Sequence, residues 1–282
     1  MKQIQCVGAG FNPDQTPCSN LKPKTFEWSS EHQDVQVLID NSILYANKID
    51  KRFDQKRYGW VCESSAIVPQ LIQSLEDFHE VIMEDGEFEA IFTNNKKLLE
   101  VSDFFVYNPT GSNYPWIPQE SWGIGEKLKL CSMVASSKLA CSGHQYRQEI
   151  ACKFKDKLDL FGGACDSPRI GISKDLNLKW NDKRSAICPY MFSIVMENES
   201  VPNYFTEKIT DCFASGTVPI YWGATNIGHR FDERGIITLN DNFDIDSLSV
   251  ELYESMRPYI ENNLETVKSL EMADDELASK II

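Results

Sequence analysis

The sequence predicts an α/β fold of two domains with a cleft between them, each domain built on a mainly parallel β-sheet. Short runs of apolar and β-branched residues alternate with amphipathic segments along the chain. Helices of this length between strands indicate crossover connections, and therefore parallel strands. The length of 282 residues and the apolar content of 42% also suffice for two domains of about 130–150 residues, each with its own core.

The first part of the chain contains five predicted strands and three predicted helices. The strands lie at Ile4–Val7, Val35–Ile39, Gly59–Cys62, Ala90–Thr93 and Phe104–Tyr107. The helices lie at Ser42–Lys48, at Pro69–Leu75 running on through Glu76–Glu84, and at Asn95–Val101. A loop rich in Pro, Gly and Asn follows over residues 108–118 and is typical of a domain boundary. We therefore divide the chain into an N-terminal domain, residues 1–120, and a C-terminal domain, residues 121–282.

The second part repeats this alternation. Strands are predicted at Leu128–Ala135, Leu158–Phe161, Tyr190–Met196, Val218–Trp222 and Ile236–Leu239. Helices are predicted at Gly143–Lys157 and Thr206–Ser215, with one or two terminal helices over Asp246–Leu270. Open parallel sheets bind their ligands beyond the carboxyl ends of the strands, where helices begin. We therefore expect the functional residues at those ends.

The charge of the chain is acidic but uneven. There are 28 Lys and Arg against 42 Asp and Glu, for a net charge of −14. This balance argues against nucleic acid or an anionic membrane as the main partner. Residues 126–185 nevertheless contain 12 Lys and Arg and only 7 Asp and Glu. If the protein binds an anion, this basic segment is expected to line part of the site.

Cysteine and histidine usage does not predict a metal centre. The nine cysteines and four histidines are scattered, with no C-x-x-C pair, so a zinc site is not expected. The first residues lack the long apolar run of a signal peptide, and no segment reaches the length of a membrane span. We therefore expect a cytoplasmic protein without a membrane span, with reduced cysteines.

The stretch NYFTEKITDCFASGTVPIYWG, residues 203–223, places a lysine where a helix begins. Asn203 or Thr206 can cap this helix, and its free N–H groups and partial positive charge favour an anion. Lys208 in the first turn is unfavourable for the helix itself. The position is therefore informative if Lys208 meets a phosphate group instead.

Two neighbours of Lys208 complete this hypothesis. Glu207 could accept hydrogen bonds from sugar hydroxyls such as those of ribose, and Tyr204 could stack on the ligand or hydrogen-bond it. The alternative is a solvated Glu–Lys pair on the surface of a helix, which residue types alone favour.

The basic segment offers a second candidate for anion binding. Arg147 falls in the first or second turn of the helix predicted at Gly143–Lys157, where a guanidinium can bind a diphosphate with two hydrogen bonds. Ser136, Ser137 and Lys138 follow the preceding strand and are weaker candidates. For all four residues the alternative is a solvated surface position.

Three motifs of the C-terminal domain closely resemble the donor-binding signature of the α1,3-fucosyltransferase family, glycosyltransferase family 10. They are YMFSIVMEN at 190–198, YFTEK at 204–208 and GTVPIYWG at 216–223. The resemblance is strongest over residues 187–240 and moderate over 128–163, where Ser136-Ser137 and Arg147 resemble the family's Ser-Asn…Arg element. It is faint over the first 120 residues.

This resemblance implies a GT-B-type fold, with two Rossmann-like domains facing each other across a cleft. The acceptor would bind the N-terminal domain, a GDP-sugar would bind the C-terminal one, and transfer would invert the anomeric carbon. The implied donor-binding residues are Arg147 and Lys208 for the diphosphate, Asn198, Tyr204 and Glu207 for the rest of the nucleotide, and Ser137 and Lys138 as further candidates. Met191 stands where the family usually has a lysine.

An inverting transferase needs a general base for the acceptor hydroxyl, and the resemblance implies a glutamate just after a strand of the N-terminal domain. Glu63 follows the strand predicted at Gly59–Cys62, although the residues around it differ from the family's Glu-Asn. The alternative is a capping or solvated glutamate.

A metal site is conceivable only at Asp244-Ile-Asp246. Its D-x-D pattern could hold Mn²⁺ or Mg²⁺ on a nucleotide sugar. We interpret Asp246 instead as a cap for the last helices. Since Arg147 and Lys208 can neutralise the leaving diphosphate, no metal or other cofactor is expected.

The sequence therefore predicts a metal-independent glycosyltransferase that moves fucose from GDP-fucose to a glycan hydroxyl. One alternative is a GT-B transferase that uses another nucleotide sugar. The other is a nucleotide-sugar- or glycan-binding module without turnover.

Overall fold

A computed structural model describes residues 1–8, 21–167 and 179–282. Cys18 and the part of the basic segment at 168–178 lie outside the described residues. The chain divides into two compact units. The first unit contains residues 1–113, 202–204 and 271–282, and the second unit contains residues 114–201 and 205–270. Residues 202–204 and 271–282, which the sequence analysis placed in the C-terminal domain, thus belong with the N-terminal residues.

The first unit contains a six-stranded parallel sheet in the order β2-β1-β3-β4-β5-β6. Its strands are β1 (Lys2–Val7), β2 (Phe26–Ser29), β3 (Val35–Ile39), β4 (Lys56–Val61), β5 (Ala90–Thr93) and β6 (Phe105–Tyr107). The helices of this unit are α1 (Pro69–Glu84), α2 (Lys96–Val101) and α7 (Ala273–Ile281). A 3-10 helix, Asp40–Lys48, replaces the helix predicted at Ser42–Lys48.

Each face of the first sheet has its own apolar core. On one face, Val61 of β4 packs with Leu71 and Leu75 of α1. On the other face, Trp60 of β4 packs with Leu277 of α7. Successive residues of β4 thus point to opposite cores, as the twofold period of a strand requires.

The sequence analysis missed two elements of the first unit, β2 and α7, which hold each other. Trp28 of β2 donates a hydrogen bond of 2.8 Å from Nε1 to Asp274 Oδ1. Asp275 Oδ1 accepts hydrogen bonds from the backbone N–H groups of Lys24 at 2.9 Å and Thr25 at 2.8 Å. Complete burial raises the pKa of Asp274 to about 7, despite the hydrogen bond from Trp28. The partners are about 250 residues apart, so no local pattern indicates the pairing.

The second unit contains a five-stranded parallel sheet in the order β11-β10-β9-β7-β8. Its strands are β7 (Lys129–Val134), β8 (Asp159–Phe161), β9 (Tyr190–Met196), β10 (Val218–Trp222) and β11 (Ile237–Thr238). Its helices are α3 (Ser142–Phe154), α4 (Lys179–Ile187), α5 (Glu207–Ala214) and α6 (Val250–Lys268). The strands β9 and β10 coincide with their predicted bounds, whereas α4 was not predicted. The two predicted parallel sheets are both confirmed.

In the part of the chain that the structure describes, no helix is long and apolar enough to cross a membrane.

The expectation that all cysteines are reduced is wrong, because Cys152 and Cys165 form a disulfide. Cys152 lies in α3, and the segment after β8 returns along that helix, so that the two Cα atoms are 5.7 Å apart. This separation is within the range of a disulfide. The spacing of 13 residues has no signature of its own, which is why the sequence did not indicate the bond.

Removal of this disulfide should destabilise the protein. Replacing both cysteines by serine should lower the free energy of unfolding by about 3 kcal/mol, because the unfolded chain gains the entropy of an open loop. Urea denaturation of the oxidised protein and the double variant measures this difference. The free, half-buried Cys188 provides the control. Cys188→Ser leaves the disulfide in place, so a reductant should destabilise this variant as much as it destabilises the wild type. Titration of nine free thiols in the unfolded, unreduced protein would contradict the disulfide.

Candidate functional site

The carboxyl edge of the second sheet is organised around Glu197, which follows β9 and is fully buried. Its Oε1 accepts a hydrogen bond of 2.9 Å from the backbone N–H of Thr206, and its Oε2 accepts one of 2.8 Å from the Thr206 hydroxyl. The same Oε2 lies 3.2 Å from Nζ of Lys208. A buried carboxylate is stable only with such partners. Glu197 therefore fixes the first turn of α5 against the end of β9.

Lys208 has a partner within the protein. Besides Glu197, its Nζ donates a hydrogen bond of 2.9 Å to the Thr206 hydroxyl and lies 3.9 Å from Glu207 Oε2. The buried charge of Glu197 thus accounts for a lysine in the first turn of a helix. About a quarter of the Lys208 side chain (26%) is exposed. Binding of a phosphate by Lys208 stays a prediction.

Glu207 is buried rather than solvated, and its partner is Lys183 of α4. The two side chains are 3.2 Å apart, and Lys183 Nζ is also 2.5 Å from Asp211 Oδ2. Burial acts to raise the pKa of Glu207, but the ammonium groups of Lys183 and Lys208 outweigh it, and the net pKa is lowered. Glu207 is therefore ionised. The alternative of a solvated Glu–Lys pair is excluded, while contact with a sugar stays a prediction.

Lys183 is a residue of the site that the sequence analysis missed. It lies in the basic segment, and that charge excess was the signal that could have indicated it. Its ammonium group lies 4.8 Å from the centre of the Trp116 ring. Asp211 in turn accepts hydrogen bonds from the backbone N–H groups of Trp116 at 2.6 Å and Ile117 at 2.9 Å. Lys183 and Asp211 thereby join α4 and α5 to the start of the second unit.

Arg147 of α3 is buried and binds the end of β9. One guanidinium nitrogen, Nη2, donates to the backbone carbonyls of Met196 at 2.8 Å and Glu197 at 3.0 Å. It also donates to Oδ1 of Asn198 at 3.2 Å. Arg147 and Asn198 were both predicted as donor-binding residues. Although they belong to different parts of the second unit, they are in direct contact. The guanidinium orients the backbone beside Glu197, a role that the sequence analysis did not foresee.

The approach of α3 to this loop depends on Gly143. A methyl group at Gly143 would overlap the backbone carbonyl of Asn198. The neighbouring His144 is buried, and burial and the nearby charge of Arg147 lower its pKa, despite a hydrogen bond with Asn198. The imidazole is therefore neutral near pH 7.

The remaining predicted donor-binding residues differ in exposure. Ser137 and Lys138 are exposed in the loop between β7 and α3, at the same sheet edge as Asn198. Ser136 uses its carbonyl to accept a hydrogen bond from the side chain of Gln148. Tyr204 belongs to the first unit and its side chain is 2% exposed. The structure therefore groups Arg147, Asn198, Glu207 and Lys208, but not Tyr204, in the second unit.

Glu63, the predicted general base, lies at the carboxyl end of β4 in the first unit and is partly exposed. Its backbone N–H donates a hydrogen bond of 3.1 Å to Oδ1 of Asp40, which also accepts one of 2.8 Å from Cys62. Asp40 was not predicted. Burial and, to a smaller extent, the charge of Glu63 raise its pKa, the two N–H groups lower it, and the net pKa is about 6.

Asp244 and Asp246 have local structural roles. Asp244, not Asp246, caps a short 3-10 helix by accepting a hydrogen bond of 3.0 Å from the Asp246 backbone N–H. Asp246 forms an ion pair with Lys157, and the cap of α6 is Ser249. The expectation that Asp246 caps the last helices is therefore wrong. Among the described residues, no group of three His, Cys, Asp or Glu side chains could hold a metal ion.

Comparison with known proteins confirms the resemblance to family 10. Residues 125–257 match the model of glycosyltransferase family 10 (fucosyltransferase), C-terminal part. Among curated proteins, the chain is 32% identical over 75 residues to the α-(1,3)-fucosyltransferase FucT of Helicobacter pylori, covering 26% of this chain. It is 44% identical over 61 residues to the α-(1,4)-fucosyltransferase of Arabidopsis thaliana, covering 21% of this chain. These segments span only 16% and 15% of the two relatives.

Solved structures support the fold. A crystal structure of an α1,3-fucosyltransferase superposes with a TM-score of 0.50 at 13% identity, covering 95% of this chain and 80% of that one. A crystal structure of an α1,3-fucosyltransferase with GDP gives 0.51 at 13% identity, covering 94% and 81%. With the two parallel sheets, these neighbours confirm a GT-B-type fold.

The raised pKa of Asp40 predicts a pH-dependent effect of Asp40→Asn. In the folded protein Asp40 binds a proton up to about pH 6, against a usual pKa of 3.8, so its ionisation at neutral pH costs stability. The asparagine variant keeps an oxygen for the two N–H groups and avoids that cost. We expect it to be more stable by about 2 kcal/mol at pH 7.5.

This advantage should disappear as the pH falls from 6 to 4, because protonated Asp40 then stabilises the wild type equally. Urea denaturation of both proteins between pH 4 and 8 tests the prediction. A stability difference that does not vary with pH would contradict it.

Proposed function

We propose that this chain, whose residues 125–257 match a glycosyltransferase family 10 domain, transfers fucose from GDP-fucose to a hydroxyl group of a glycan. The observation that carries the proposal is the grouping of Arg147, Asn198 and Lys208 around Glu197 at the carboxyl edge of the second sheet. That edge is where parallel sheets bind nucleotides. A fold neighbour was crystallised with GDP, which supports the same ligand here.

In this proposal the second unit binds the donor. Lys208 and the N–H groups at the start of α5 bind the diphosphate. Glu207, kept ionised by Lys183, accepts hydrogen bonds from the ribose hydroxyls. Arg147 orients Asn198 toward the nucleotide, and the exposed Ser137 and Lys138 lie on the loop nearest to it.

The reaction is a single displacement with inversion. Glu63 accepts the proton of the acceptor hydroxyl, whose oxygen attacks the anomeric carbon of fucose. The bond between that carbon and the β-phosphate oxygen breaks, and GDP leaves with the electron pair. Lys208 and the amides of α5 stabilise the charge that develops on GDP. No metal ion is needed, because these groups already neutralise the leaving group.

Met191 favours a second candidate, a binding module without turnover. Its thioether stands where family members usually carry a lysine, and it packs beside the core of the second unit. Loss of one cation would weaken stabilisation of the leaving group more than binding of the sugar.

A transfer assay separates these candidates. The protein is incubated with GDP-fucose and acceptors containing N-acetylglucosamine or galactose, and the release of GDP is measured with and without EDTA. We expect acceptor-dependent release that EDTA does not reduce. Release that EDTA abolishes would contradict the metal-independent mechanism. GDP-fucose binding without release would favour the binding module, and turnover with another nucleotide sugar would correct the donor.

Two substitutions should separate donor binding from chemistry. Lys208→Ala removes a charge-assisted hydrogen bond to phosphate, so GDP affinity should fall by about 1.5–3 kcal/mol. Glu63→Gln keeps the shape of the side chain but removes the base, so it should lower kcat about 100-fold or more while GDP affinity is unchanged. Calorimetry with GDP and steady-state kinetics measure both effects.

The exposed Lys268 of α6, which pairs with Glu265, supplies a matched control, since Lys268→Ala should change neither value. Undiminished GDP affinity of the Lys208 variant would remove the phosphate role of that residue. A fully active Glu63→Gln protein would exclude Glu63 as the base.

A further inference from the structure

The end of β4 in the first unit is held on both sides of Glu63. On the N-terminal side of the Glu63 Cα, the backbone N–H groups of Cys62 and Glu63 donate to Asp40 Oδ1 at 2.8 and 3.1 Å. On its C-terminal side, the carbonyl of Ser64 accepts hydrogen bonds from the backbone N–H groups of Ile67 at 2.9 Å and Val68 at 3.0 Å. The backbone of Glu63 is therefore fixed by groups that precede and follow it.

Asp40 reaches this position by an unusual backbone conformation. It is the first residue after β3, and its φ of 48° is in the left-handed region, which glycine, asparagine and aspartate adopt more readily than other residues. Since Ile39 of β3 pairs with Trp60 of β4, Asp40 lies beside the end of β4. The left-handed turn starts the 3-10 helix at Asp40, and the side chain bonds the neighbouring strand end.

The environment of Asp40 disfavours the ionised form of its carboxylate. Burial disfavours the charged carboxylate, and the nearby charge of Glu63 disfavours it further. A neutral residue that accepts the same two hydrogen bonds would avoid the repulsion. Burial and like charge are therefore both accepted at one residue whose hydrogen bonds hold Glu63, a pattern found where a structure positions a functional group.

We infer that Asp40 is a positioning residue for the reaction, fixing the backbone of Glu63 so that its carboxylate is held toward the acceptor hydroxyl. The inference rests on the proposed function, in which Glu63 is the base. Asp40 acts through its hydrogen bonds and not by taking the proton itself. A misplacement of the base by about 1 Å can reduce a rate about 100-fold, so a rigid strand end matters for turnover.

The comparison of Asp40→Gly with Asp40→Asn tests this role. Both glycine and asparagine tolerate the left-handed conformation, so the two variants differ in the side-chain oxygen. Asp40→Gly should lower kcat about 10- to 100-fold without changing GDP affinity. Asp40→Asn should retain kcat within about threefold, because its amide oxygen can accept the two N–H groups.

Asp275 provides the matched control, because it also accepts two backbone hydrogen bonds in the first unit. Asp275→Ala should destabilise the protein at least as much as Asp40→Gly, yet leave kcat unchanged at a temperature where it is folded. A purely structural role of Asp40 would instead make the losses of activity and stability parallel in both variants.

Amide hydrogen exchange supplies a readout that does not require activity. The Cys62 and Glu63 amides should exchange faster in Asp40→Gly than in the wild type or in Asp40→Asn. If they do so in a protein that never transfers fucose, the proposed function fails and Asp40 still holds Glu63. Unchanged exchange or unchanged kcat in Asp40→Gly would overturn the inference. Loss of activity in Asp40→Asn equal to that in Asp40→Gly would overturn it too, since the charge itself would then act.

Discussion

The second unit depends on one buried carboxylate, that of Glu197. A parallel strand ends in a row of polar backbone groups, and the following helix begins with N–H groups that lack partners. The Glu197 carboxylate accepts hydrogen bonds from the backbone N–H and the hydroxyl of Thr206, at the start of the helix, and it supplies the counter-charge for Lys208. At the end of the strand, the backbone carbonyls of Met196 and Glu197 accept hydrogen bonds from Arg147. Strand, helix and both basic residues are therefore held by one residue and its neighbours.

The same arrangement determines where positive charge is available. Arg147 is buried among backbone acceptors and Lys183 is mostly buried beside Glu207 and Asp211, whereas the Lys208 side chain is partly exposed in the first turn of α5. Lys183 and Lys208 thus supply the counter-charge for the buried carboxylates of Glu197, Glu207 and Asp211. In the proposed donor complex, a diphosphate would share Lys208 with Glu197.

The elements that could be predicted from the sequence are those determined by local pattern. Strands β9 and β10 are continuous apolar runs bounded by polar residues and glycine, and both have the predicted bounds. In contrast, β2 is four residues long and α4 has almost no amphipathic pattern. Both depend on distant partners, Asp274 for Trp28 and Glu207 with Asp211 for Lys183. The disulfide between Cys152 and Cys165 also depends on a tertiary approach.

The candidate site was predicted in position but not in its internal contacts. Lys208, Glu207, Arg147 and Asn198 do lie at one sheet edge, because parallel strands bring their carboxyl ends together. The sequence could not indicate that Glu197, an ordinary glutamate between a strand and a loop, binds Lys208 through its carboxylate and Arg147 through its backbone carbonyl. Asp40 was missed for the same reason, since its role follows from the pairing of β3 with β4.

The division of the chain has a consequence for biosynthesis. Residues 1–113 of the first unit are made before the second unit, but Trp28 and the backbone near Thr25 receive their hydrogen-bond partners from Asp274 and Asp275. A ribosome releases these aspartates only after the whole second unit has been synthesised. During translation the side chain of Trp28 and the apolar sheet face that α7 covers therefore lack these partners, and transiently exposed apolar surface of this kind promotes aggregation. The first unit, although most of it is translated before the second unit, is therefore completed after it.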